Sequence, residues 1–117
     1  MFNIFLLITF FSIYRCGGTN KLVILENDRS ERVLLGEASG GEILANFPDF
    51  KEKYETYNVN IESMIGLNHM NSEIKIITIL GTWCKDSRRE VSRFLKIMYS
   101  ISNSKIDLRF YGVDRSK

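Results

Sequence analysis

Two cysteines, one histidine and one proline are all that 117 residues contain of these types, and each scarcity removes a class of explanation. A metal centre needs several closely spaced Cys, His or carboxylate ligands. His69 has no cysteine or second histidine near it, so no metal is expected and His69 reads as a surface residue. The formal charge is only +2, with basic residues scattered among acidic ones, and the aromatic residues do not interleave with a Lys/Arg stripe. Nothing in that balance suits a nucleic-acid partner. No apolar run reaches the roughly 20 residues that a membrane-spanning helix needs. No cofactor is expected either. What remains is 44% apolar and 26% charged residues, the composition of an ordinary globular chain, and a length that allows one domain.

Phe2 to Tyr14 is an apolar or hydroxyl-bearing stretch with Asn3 as its only strongly polar member. Its length suits the h-region of a secretory signal peptide, although only the amino terminus supplies positive charge ahead of it. Arg15-Cys16-Gly17-Gly18 follows. A cysteine directly after an h-region resembles a bacterial lipoprotein signal, in which Cys16 would carry lipid and begin the mature chain. Arg15 departs from the small residue that this pattern carries, and the alternative is an uncleaved hydrophobic anchor or a mis-assigned start codon. Residues 1–16 are therefore expected to be a signal segment and 17–117 the domain, exported to a periplasmic compartment or held at a membrane through lipid.

Beyond that segment the chain alternates. Lys21-Glu26 and Arg32-Glu37 are short apolar runs around Asn27-Asp28-Arg29-Ser30, which predicts a strand, a turn and a strand. Ile43, Leu44, Phe47, Phe50 and Tyr54 recur at helical spacing, predicting one or two helical pieces between Gly41 and Tyr57 that meet near Pro48. Asn60 precedes a short capped helix ending near Asn68. Ile74 to Leu80 is β-branched and almost continuously apolar, as a strand buried on both faces would be. Val91, Phe94, Leu95, Met98 and Ile101 then keep the spacing of a one-sided helix of about five turns, and Ile106 to Val113 is the next strand. Strand, helix and strand form a crossover in which ligands are expected at the carboxyl end of the first strand.

Cys84 sits at that end, in Gly81-Thr82-Trp83-Cys84-Lys85-Asp86-Ser87. Unpaired N–H groups at a helix start present partial positive charge and favour a thiolate. Lys85, Arg88 and Arg89 act in the same direction and Asp86 opposes them, so Cys84 is expected to be more acidic than a free cysteine. The alternative is a buried, inert cysteine at a strand end.

The turn resembles the active-site segment of the thioredoxin superfamily, Trp-Cys-x-x-Cys, with Ser87 in place of the second cysteine. It is also similar to exported bacterial thioredoxin-like proteins that carry Gly-Thr-Trp-Cys-x-Asp-Ser followed by basic residues, Glu-Val and Phe; the matching residues run from Gly81 to Leu95. The resemblance implies an α/β thioredoxin-like fold and thiol–disulfide exchange with protein thiols or disulfides. Cys84 would be the nucleophile, Trp83 its apolar shield, Lys85 a stabilising charge and Ser87 a hydrogen-bonding neighbour. Without a second cysteine the site is a monothiol, unable to close its own disulfide. Ser92 stands where the family usually has a helix-kinking proline, which predicts a straighter helix. No proline follows Cys84, so the family's proline hairpin and closing helix are expected to be missing and the fold to be an incomplete, C-terminally truncated version. The rival expectation is that the first two strands fill that gap. The alternative function is a non-catalytic binding module, or an inactive fragment, that uses the same Trp83 surface.

Overall fold

The computed structural model describes residues 22–115. The signal segment expected at 1–16, Cys16 included, lies outside the described residues. Among those described, no helix is long and apolar enough to cross a membrane.

Strands β1 (Val23–Glu26) and β2 (Arg32–Ala38) form an antiparallel hairpin. Its turn is organised by Asn27, whose Oδ1 accepts the N–H groups of Arg29 at 2.9 Å and Glu31 at 3.0 Å. This is the local side-chain pairing that makes asparagine a turn residue. Helix α1 (Gly40–Asn46) starts in a capping box: Ser39 Oγ accepts the Glu42 N–H while the Glu42 carboxylate accepts the Ser39 N–H. Helix α2 (Pro48–Thr56) begins directly after it with Pro48 in the first turn, where a missing N–H costs nothing. The two pieces expected between Gly41 and Tyr57 are thus separate helices meeting at Phe47. A 3₁₀ turn (Glu62–Met64) and the one-turn helix α3 (Ile65–Asn68) lead to strand β3 (Ile74–Leu80), helix α4 (Lys85–Tyr99) and strand β4 (Ile106–Gly112).

The protein is α/β, with a mixed four-stranded sheet in the order β1-β2-β4-β3. β3 and β4 run parallel across the α4 crossover, and β2 joins β4 antiparallel through Gly36–Gly112 to Ala38–Phe110. The close approach at that junction requires glycine: a Cβ on Gly112 would collide with the Leu34 carbonyl oxygen. Leu34, Phe110 and Leu80 of the sheet meet Ile43, Phe50 and Leu95 of the helices in one core, which places α1, α2 and α4 on the same sheet face.

Two expectations change here. β3 is buried on one face only: Ile77 and Ile79 are 56% and 70% exposed, because no described helix packs on the opposite face of the sheet. The first two strands do not fill the gap left by the missing proline hairpin, since they join the far side of β4 and leave β3 an edge strand among the described residues. Helix α4, 15 residues and about four turns, runs unbroken through Ser92. That serine is fully buried, and its hydroxyl donates to the Arg88 carbonyl at 2.6 Å.

Candidate thiol site at the head of helix α4

Cys84 is the N-cap of α4, with extended backbone, and its half-exposed thiol is free. The loop from Gly81 to Cys84 closes on itself, as the Cys84 N–H donates to the Gly81 carbonyl at 2.9 Å. Once α4 begins, the amides of its first turn have no carbonyl behind them and present partial positive charge at the residue that caps the helix. The backbone N–H of Ser87 and then that of Asp86 hold the Cys84 thiol below its ordinary pKa, and the Ser87 side chain adds to the effect. Partial desolvation and the Asp86 carboxylate push the other way. Lys85, expected to stabilise the thiolate, is exposed and is not among these causes; the acidity rests on backbone amides. Ser87 also accepts the Gly81 N–H at 3.3 Å, so one hydroxyl serves both ends of the loop.

Side chains of the loop and of its neighbours tie it to the surrounding elements. Trp83 lies across Gly81, where a Cβ would come within 2.6 Å of the indole, and its Nε1–H donates to the Val113 carbonyl at 3.0 Å just beyond β4. The Arg115 guanidinium stacks on the ring 4.6 Å from its centroid. Thr82 is buried, and its hydroxyl replaces a strand partner for β2: it accepts the Leu34 N–H at 3.1 Å and donates to the Arg32 carbonyl at 3.2 Å. Arg88 reaches back from α4 to donate to the carbonyls of Thr82 at 2.9 Å and Trp83 at 3.4 Å, and binds the Asp49 carboxylate of α2 at 3.0 Å. The chain therefore brings Trp83, Cys84 and Ser87 together, while Lys85 stays in solvent.

Neither the bridging role of Thr82 nor the structural use of Arg88 is signalled by the sequence. A threonine beside a tryptophan carries no mark of a hydroxyl facing β2. For Arg88 the available signal, a basic residue one turn into α4, suggests charge near the thiol rather than a clamp on two carbonyls. Among the described residues no cluster of three or more His, Cys, Asp or Glu could hold a metal.

No protein-family model, no curated protein and no solved structure matches this chain. What fold and site define is an α/β protein with a mixed four-stranded sheet and one half-exposed, acidified cysteine where its parallel crossover begins.

Proposed function

We propose that this protein is a thioredoxin-like monothiol that performs thiol–disulfide exchange on protein substrates, with Cys84 as nucleophile. One observation carries the reading: a free, accessible cysteine caps α4 with its thiol pKa lowered by the Ser87 and Asp86 amides. A lowered pKa raises the thiolate fraction at neutral pH, and the thiolate is the species that attacks. In the step, the Cys84 sulfur bonds to one substrate sulfur, the substrate S–S bond breaks, and its electron pair leaves on the other sulfur as a thiolate. With Ser87 where a second thiol would stand, the mixed disulfide persists until an external thiol attacks it and restores Cys84. Trp83, held flat against Gly81, forms the apolar floor on which the substrate disulfide rests. The apolar segment at Phe2–Tyr14 and Cys16 supports export, to a compartment where disulfides persist.

The test is the rate of Cys84 alkylation against pH in a Cys16→Ser background. An inflection below that of a free cysteine is expected; one at or above it removes the activated nucleophile. A second reading, a binding module without redox turnover, draws on the rigid placement of the Trp83 ring between Gly81 and Arg115. A Cys84→Ser variant that keeps full affinity for a trapped partner would favour it.

A further inference from the structure

A groove of about 770 Å³ opens between α2 and α4, and Trp83 forms part of its lining. Its size falls among clefts that enclose a ligand or a short peptide segment, roughly 300–1,000 Å³. Lys85, Arg88, Arg89 and Arg93 line it from α4, and their three- and four-residue spacing gathers them on one helix face. Lys53 faces them from α2, whereas among the described residues the lining carboxylates are only Asp49 and Glu52.

The charges differ in how firmly they are engaged. Asp49 is held by Arg88 and Glu52 lies 3.6 Å from Lys53. Arg89 pairs with Asp86 at 3.1 Å and with Glu90, and Arg93 lies 3.5 Å from Glu90 and 5.5 Å from the centroid of the Tyr57 ring. These are exposed pairs, of the kind worth about 0–1 kcal/mol, so an arriving anion can draw the cations away from them. Lys85, the residue next to Cys84, has no carboxylate partner among the described residues. A ligand in the groove therefore meets an excess of cations, greatest at the end beside the thiol.

We propose that this groove seats an acidic segment of the substrate polypeptide that flanks the disulfide attacked by Cys84. The inference rests on the thiol-exchange reading and adds the substrate's charge to it. Charge complementarity brings the acidic chain to the site, and the same cations favour departure of the leaving thiolate.

Two peptides bearing a thiopyridyl mixed disulfide test it, one with Asp and Glu around the cysteine and one with Lys. Thiopyridone release is read on the full chain carrying Cys16→Ser, and each rate is divided by that of uncharged dithiodipyridine on the same variant. The acidic peptide is expected to react about tenfold faster at low ionic strength. In 1 M salt, where the screening length is roughly 3 Å, the preference should vanish, and Lys53→Glu with Arg93→Glu should reverse it. Equal normalised rates, or a preference unmoved by salt and by the variant, overturn the proposal. Binding is read separately in Cys84→Ser with a cysteine-free acidic peptide, using the fluorescence of Trp83, the chain's only tryptophan. A saturable response confined to the acidic peptide supports the groove even if Cys84 proves unreactive, and no response to either peptide overturns it.

Discussion

Replacing Thr82 with valine keeps the shape of the side chain and removes only its hydroxyl, which isolates the bridge between the thiol loop and β2. Two hydrogen bonds are lost, at 3.1 Å from the Leu34 N–H and 3.2 Å to the Arg32 carbonyl. The loss is unequal. Leu34 is fully buried, and β2 pairs with β4 only from Gly36 onward, so on the β4 side of Leu34 the Thr82 hydroxyl stands where a strand acceptor would. A buried donor left without a partner costs about 1–3 kcal/mol, and an ordinary hydrogen bond about 1 kcal/mol. The expected total is about 2 kcal/mol, which for a domain of this size lowers the thermal midpoint by roughly 10 °C. Thr82→Ser retains the hydroxyl and should remain within about 1 kcal/mol of the original. Urea unfolding of both variants gives the comparison. A Thr82→Val protein within about 0.5 kcal/mol of wild type, or a serine variant as weak as the valine one, would refute the bridging role.

Arg88→Gln should cost about 2 kcal/mol, more than Asp49→Asn, since the two carbonyl bonds are partly buried whereas the Asp49 side chain is 65% exposed. A double-mutant cycle is expected to give less than about 1 kcal/mol for the Arg88–Asp49 pair, and Arg88→Lys should not restore stability because an ammonium cannot span all three acceptors. Gly81→Ala drives a methyl group into the Trp83 ring; the indole should leave its seat, shifting tryptophan emission to the red at a stability cost of about 1–3 kcal/mol. Because the Cys84 pKa is lowered in the folded state, the unfolded chain binds more protons between that value and the ordinary thiol value near ~8.5. Stability should therefore rise with pH across that window and fall as pH drops through the folded pKa, a slope that Cys84→Ser in unfolding titrations should abolish. Ile79→Thr, at a position 70% exposed on the edge strand, should change stability by less than about 0.5 kcal/mol while reducing self-association in light scattering.

Elements controlled by local chemistry are legible in the residues themselves. Asn27 to Ser30 carries turn residues, Pro48 divides two helices, and the apolar spacing from Val91 to Met98 gives the buried stripe of α4. The thiol at the junction of β3 and α4 is legible for the same reason, since strand, loop and helix are consecutive. Legibility fails where the partner is distant. Thr82 pairs with residues 48 and 50 positions earlier, and Arg88 with one 39 positions earlier, and no periodicity encodes such contacts. β3 misleads differently. Its continuous apolarity signals burial on both faces, but Lys75, Ile77 and Ile79 lie on the face opposite the helices, and among the described residues nothing covers them.

The position of the thiol is therefore a tertiary property assembled around a local motif. A helix start aims its amides at whatever residue caps it, but the aim is only as steady as the loop that delivers the cap. Here Thr82 ties that loop to β2, Trp83 ties it to the backbone after β4, and Arg88 ties it to α2. These three anchors come from adjacent or nearby residues yet end on three separate elements, so together they restrict how the loop delivers Cys84 to the start of α4. The acidity of Cys84 and the cohesion of the sheet end consequently depend on the same few bonds. A change that loosens Thr82 or Arg88 should raise the alkylation pKa as it lowers stability, whereas a change on the exposed face of β3 should leave the thiol as it was.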